Sequence, residues 1–159
     1  MTRVVVLSDT HLREVTRDLE ELYTGFLNGA DLILHAGDVV CEEVVHFLQR
    51  MPFHGVHGNM DPPEVRELLP SHKVIEINRV RVGMTHGSGA PEGLEERILA
   101  DFDGVDLVVY GHSHRPGDRI VRGVRFFNPG TASGQARYGS NTIGLLEFGE
   151  AVTGRIITL

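Results

Sequence analysis

Cysteine occurs once in these 159 residues, at Cys41. A single thiol excludes an internal disulfide framework and any zinc or iron–sulfur site built from several thiolates. Lysine also occurs once, as Lys73, so the basic charge is almost all arginine, which we read as coding bias. An excess of positive charge is missing too. With 22 acidic against 15 basic residues the net charge is −7, and duplex nucleic acid, which asks for a basic stripe, is not an expected stable partner. Small anionic substrates stay open, because bound metal ions reverse the local sign of charge. No apolar run is long enough to cross a bilayer, and the chain enters a strand pattern at once without a basic-then-apolar leader. The expectation is a cytoplasmic protein with no membrane contact. Repeats, linkers and low-complexity tracts are likewise lacking. At this length a hydrophobic content of 41% suits one compact domain over residues 1–159 with a sizeable core.

What the chain does have is a set of metal-type donors, each placed just after a short apolar run. The runs are Val4-Val5-Val6-Leu7, Leu32-Ile33-Leu34, Gly55-Val56, Val82-Gly83-Met84 and Leu107-Val108-Val109. The donors after them are Asp9 and His11, Asp38, Asn59, His86, then His112 and His114. If the runs are strands entering a core, these side chains converge at the strands' carboxyl ends, where open α/β folds place ligands.

Periodicity supports such a sheet. Helical spacing covers Val15 to Gly29 (Leu19, Leu22, Tyr23, Phe26, Leu27) and Glu42 to Met51, the latter stopped by Pro52. Pro62-Pro63 opens a short helix to about Leu69, and Pro91 another that carries Leu94, Ile98 and Leu99. Strand–helix–strand units imply parallel pairing. The rest reads as hairpins: 72–77 with 80–86 around Asn78-Arg79, 119–121 with 124–128 around Arg122-Gly123, and 142–148 with 151–159 around Gly149-Glu150. The expected class is α/β (α+β), a mixed sheet or two packed mixed sheets with helices outside. Edge strands leave room for a homo-oligomer.

The donors define a chemistry. Asp9 and His11 alternate by two, as do His112 and His114, so on an extended strand end each pair faces one side and can chelate an ion. Asp38 offers a carboxylate able to bridge two cations, Asn59 a neutral oxygen and His86 a further imidazole. Such a set suits Mn²⁺, Fe²⁺, Co²⁺, Ni²⁺ or Zn²⁺. Seven donors with one shared would serve two ions about 3.5–4 Å apart, the spacing of two-metal hydrolases.

In order along nearly the whole chain, Asp9-x-His11, Gly37-Asp38, Gly58-Asn59, Thr85-His86-Gly87 and Gly111-His112-Ser113-His114 resemble the signature of the calcineurin-like metallophosphoesterases. The short length and the Asn128-Pro129-Gly130-Thr131 turn resemble their short prokaryotic phosphodiesterase branch. The resemblance implies a two-sheet sandwich flanked by helices and phosphoester hydrolysis at a dinuclear centre, with manganese the first choice of metal. By motif it gives one metal Asp9, His11, Asp38 and His114, and the other Asp38, Asn59, His86 and His112. A hydroxide between the ions would attack a small phosphodiester in line, with Asp38 fixing the separation and Asn59 and His86 beside the incoming phosphate.

One position departs from the pattern. Many members follow Gly-Asn with a histidine that assists the leaving group, whereas this chain has Met60, followed by the acidic Asp61. Methionine cannot donate a proton, and esters with good leaving groups need that help least, so the substitution favours a diesterase over a phosphoprotein phosphatase. His57, Arg115 or a metal-bound water could fill the role. Asp61 could equally cap the Pro62 helix, and Arg115 could bind phosphate or be solvated. His35 reads as a hydrogen-bonded core residue, Cys41 as a small packing residue at a helix start, and His46, His54 and His72 as surface or packing residues. Two rival readings belong to the same family. One is a retromer-type scaffold, which predicts a damaged donor set and a large apolar patch; the other is a nuclease, which predicts extra domains and basic surface.

Overall fold

The structure is a computed structural model that describes residues 1–133 and 140–159. Among the described residues ten strands form two five-stranded mixed sheets. The first contains β1 (Thr2–Leu7), β2 (Leu32–His35), β3 (Phe53–Gly55), β9 (Thr142–Phe148) and β10 (Val152–Thr158), in the order β10-β9-β1-β2-β3. Within it β1, β2 and β3 are parallel, with Val4 opposite Leu32 and Ile33 opposite Phe53, while β9 and β10 are antiparallel. The second sheet contains β4 (His72–Ile77), β5 (Val80–Thr85), β6 (Leu107–Val109), β7 (Gly117–Val121) and β8 (Val124–Asn128), in the order β4-β5-β6-β8-β7. Here β5, β6 and β8 are parallel and the two edge strands antiparallel.

Why the parallel strands read as unbroken apolar runs is clear from burial. Val4 and Val6 face the second sheet, where they meet Val82, Met84, Leu107, Val109 and Phe127. Val5 and Leu7 face the other way, onto helices α1 (Arg17–Gly25), α2 (Glu42–Leu48) and α3 (Pro63–Leu68), through Leu19, Leu22, Val44, Val45, Leu48 and Val65. Both faces of β1 are therefore dry, as is usual for parallel strands covered on two sides. Each such side chain contributes about 1.5–3 kcal/mol when fully buried. Helix α4 (Leu94–Leu99) covers the outside of the second sheet with Leu94 and Ile98 against Val108 and Phe126.

Local chemistry sets the boundaries. Helix α1 starts at Thr16, whose hydroxyl accepts from the Leu19 amide at 3.2 Å. The helix expected through Gly29 stops at Gly25, because Phe26 leaves helical geometry (φ −129°), and Leu27–Gly29 is a separate 3₁₀ turn. Pro91 does not open a helix: Gly93 sits at φ +71° and α4 begins at Leu94. The second hairpin starts two residues earlier than expected, at Gly117. In the tight turns, Asn78 and Arg79 (φ 48° and 68°) and Arg122 and Gly123 (φ 49° and 80°) both take the positive angles of type I′ hairpins. Among the described residues no helix is long and apolar enough to cross a membrane.

Candidate metal centre

The carboxyl ends of β1, β2 and β3 in one sheet and of β5 and β6 in the other open at the same end of the sandwich, and their following loops carry the donors. Asp9 Oδ1 lies 3.2 Å from His114 Nε2, 3.6 Å from His11 Nε2 and 3.7 Å from His86 Nε2. Asp38 Oδ2 lies 3.2 Å from His86 Nε2 and 3.5 Å from His11 Nε2. Among the described residues two groups of three result, Asp9 with His11 and His114, and Asp9 with Asp38 and His86, each with its donor atoms within 4.8 Å of one another. Asp9 is the residue common to both groups, while Asp38 Oδ2 faces one imidazole of each, His11 and His86. Asn59 and His112 stand alongside: Asn59 Oδ1 is 3.2 Å from His112 Nδ1, and the His86 and His112 ring centres are 5.3 Å apart.

The donor set fits cations, for a reason of hydrogen-bond arithmetic. His86 Nδ1 lies 2.7 Å from the Ala36 carbonyl, which can only accept. Nδ1 therefore carries the hydrogen, and in the neutral ring Nε2 turns a lone pair on two carboxylates. His112 repeats the pattern, with Nε2 donating to the Gly89 carbonyl at 2.8 Å and Nδ1 facing the Asn59 oxygen. Acceptor is aimed at acceptor in both places. Asp9 Oδ1, His11 Nε2 and His86 Nε2 are buried with no hydrogen-bond partner, a costly arrangement unless a positive charge lies between them.

Charge follows the same logic. Burial raises the Asp9 carboxyl pKa, but the surrounding imidazoles of His11, His114 and His86 outweigh it and hold the group far below the carboxylate range. Asp38 is lowered as well: burial opposes ionisation and His86 overcomes it. For His86, burial lowers the pKa, yet Asp38 and Asp9 raise it further, so a proton at Nε2 competes with a cation for the same lone pair.

The backbone that carries these groups is strained. Asp9, His11, Asp38, Val40, His112 and His114 all have φ between +47° and +70°. For residues other than glycine this costs on the order of 1 kcal/mol each. The β1 and β2 loops hold each other by Asp9 N to Gly37 O (2.9 Å) and His11 N to Asp38 O (3.0 Å). Two motif glycines permit the crowding. A Cβ at Gly58 would stand 2.7 Å from the His86 ring and press on Asp38 Oδ1, and one at Gly111 would stand 2.6 Å from Asp9 Oδ2.

The sequence profile of the calcineurin-like phosphoesterase superfamily domain matches residues 2–151. The chain belongs to that superfamily. A probable metallophosphoesterase of Methanocaldococcus jannaschii is 35% identical over 130 residues, which span 79% of this chain and 66% of that protein, just under two thirds of its length. The calcineurin-like fold is also that of a solved archaeal phosphodiesterase, with TM-score 0.78 at 24% identity over 99% of both chains. A single mutant of Vps29 from Entamoeba histolytica superposes with TM-score 0.72 at 23% identity, again over 99% of both chains.

Around the donors of this superfamily member the structure places residues that the sequence leaves open or does not reveal. The Asp61 side chain does not cap α3, whose N-cap, Pro62, makes no side-chain bond. It accepts the amides of Asp38 (3.0 Å), Val40 (2.7 Å) and Gly58 (2.7 Å), so it ties the β2 and β3 loops together. His57 is half-buried on the wall of a cleft of about 320 Å³ that also takes in Asn59, Arg66, His72 and His86. Arg115 faces Glu92 at 3.8 Å and lines a different hollow with Tyr110 and Arg119. Among the residues missed, Arg66 donates to the carbonyls of Gly58, Asn59 and Asp61, and Ser8 Oγ donates to Asp9 Oδ2 at 2.6 Å. Asn128 Nδ2 donates to Gly111 O and Ser113 Oγ, each at 3.2 Å, bracing the loop that bears His112 and His114. Only Asn128 left a trace in the sequence, through its Pro-Gly turn.

His35 is the hydrogen-bonded core residue expected: Nδ1 accepts the Gly37 amide at 3.0 Å, so Nε2 donates to Thr10 Oγ1 at 3.1 Å. Burial lowers its pKa from 6.5 to about 4, more than the nearby charges of Asp61, Asp9 and Asp38 raise it. The unfolded chain then binds a proton between pH 6.5 and 4 that the folded ring refuses. The stability contributed by neutral His35 is complete above the upper value and is lost as pH falls toward the lower, by about 3 kcal/mol in total. An NMR titration is expected to show the His35 ring uncharged at pH 5. A midpoint near the ordinary histidine value would contradict this.

Proposed function

We propose that this chain is a metal-dependent phosphodiesterase, hydrolysing small phosphodiesters at a centre of two divalent cations, manganese foremost. The observation that carries the reading is the meeting of buried, unsatisfied acceptors from both sheets, Asp9 Oδ1, His11 Nε2 and His86 Nε2 among them. Asp9, His11, Asp38 and His114 would hold one cation, and Asp38, Asn59, His86 and His112 the other. When bound, the pair supplies an activated water at neutral pH and neutralises phosphate charge. The chain's own part is positional. Asp38 sets the relation of the two halves, Asp61 holds the Asp38 and Gly58 loops in register, and Asn59 and His86 border the cleft where a phosphate and its ester groups would lie.

The diester preference is supported by Met60, which follows Asn59 in the chain, is 59% exposed and has no proton to give. The archaeal phosphodiesterase of the same fold is in keeping with it. A scaffold reading draws on the likeness to Vps29, yet all seven donors are present here and turned on one another. Large exposed apolar side chains, Met60, Leu68, Val74 and Ile120 among them, fall on different elements, which does not favour a docking patch.

The test compares bis-(p-nitrophenyl) phosphate with p-nitrophenyl phosphate, using metal-stripped protein resupplied with Mn²⁺, Ni²⁺ or Zn²⁺. Turnover is expected to vanish on stripping, to return with Mn²⁺, and to favour the diester. Faster monoester cleavage would overturn the diesterase assignment, and turnover that survives chelation would overturn the metal centre.

A further inference from the structure

The loop after β5 carries His86 and then runs over the cleft to α4. It holds three glycines at positive φ, Gly87 (96°), Gly89 (81°) and Gly93 (71°), so its sequence gives it little stiffness of its own. One side chain supplies that stiffness. The Arg97 guanidinium, from α4, donates to the carbonyls of Glu92 (Nη1, 2.9 Å) and Ser88 (Nη2, 2.8 Å), and Nη2 also donates to that of Ala90. Three carbonyls of one segment thus converge on a rigid planar fork, a geometry that a lysine ammonium cannot reproduce. Gly89, enclosed by these contacts, turns its own carbonyl to His112 Nε2 at 2.8 Å.

Building on the metal-centre reading above, we propose that Arg97 is a positioning residue for the Asn59–His112 half of the site. The effect is carried by a hydrogen. The Gly89 carbonyl accepts only, so it holds the proton of neutral His112 on Nε2 and leaves Nδ1 as a lone pair toward Asn59 Oδ1, 3.2 Å away. Release the loop and that selection goes: the ring is free to protonate Nδ1 and bond Asn59 directly, which closes the position a cation would take. Outer hydrogen bonds of this kind fix imidazole tautomer and orientation, and their loss commonly weakens metal binding by about 10–100-fold. The loops that bear His11 and Asp38 are held by one another, through Asp9 N to Gly37 O and His11 N to Asp38 O, so the other half of the site is spared.

The test uses Arg97→Gln, with Arg97→Lys as a second variant should the first fold poorly, and two readouts that need no substrate. In metal-free protein at pH 8, ¹⁵N NMR of the His112 ring is expected to report the Nε2–H tautomer in the unaltered chain and a tautomer mixture in either variant. In calorimetric titration with Mn²⁺, the unaltered chain is expected to take up two ions, and the variants to bind one normally and the other at least about tenfold more weakly. An unchanged His112 tautomer together with unchanged binding of both ions would overturn the role of Arg97. Equal weakening of both ions would overturn its selectivity for one half. If the unaltered chain binds no Mn²⁺, the metal-centre reading fails, and the tautomer comparison still decides whether Arg97 orients His112.

Discussion

Asp38→Asn is expected to lower Mn²⁺-supported diester hydrolysis by about a thousandfold while leaving the metal-free protein as stable as before, or more so. The two halves of this expectation have one cause. Asp38 Oδ1 accepts the Met60 amide at 2.8 Å, a bond the asparagine oxygen keeps. Asp38 Oδ2 faces His11 and His86 at 3.5 and 3.2 Å, and an amide NH₂ placed there would donate to the same lone pairs that a cation requires. The substitution thus satisfies the empty site at the expense of the filled one. Steady-state assay with Mn²⁺, together with urea unfolding in chelator, checks both halves. Activity within tenfold of the unaltered chain would remove Asp38 from the centre of the mechanism.

Asp61→Ala is expected to cost about 3–5 kcal/mol of folding stability, because three backbone amides lose a charged acceptor inside the protein. Asp61 is 4% exposed, so water cannot readily take its place. Two of the three donors, Asp38 N and Val40 N, belong to residues with φ of 58° and 65°, and valine is among the residues least suited to that region. The loss is therefore one of restraint as well as of hydrogen bonds. Urea unfolding at constant m-value measures it, with Asp61→Asn intermediate because one oxygen remains to accept. A change below about 1 kcal/mol would mean that the loop holds its shape unaided.

Much of this was legible in the chain. Donors placed one to five residues beyond Leu7, Val109 and the other strand ends can be seen as a strand-end cluster, and both two-residue hairpins declare themselves by Asn78-Arg79 and Arg122-Gly123. A left-handed Gly93 overrides the proline signal and moves the helix start from Pro91 to Leu94, a tertiary choice invisible to local pattern. Asp61 was ambiguous for a related reason. Next to Pro62 a capping aspartate and a tether to a loop 23 residues away look the same in sequence. Arg66 and Arg97 left no mark at all, since what they bind is backbone carbonyls, and carbonyls are everywhere in a chain.

The left-handed residues of the site have a meaning for how this protein changes over generations. Six side chains sit on backbone that prefers glycine or asparagine, and at several of them the preferred replacement would remove a donor. Selection for thermal robustness alone would relax these positions first and keep the sandwich beneath them. A descendant freed from its chemistry would be expected to lose its donors early, remain well folded, and offer the same sturdy frame to some other use.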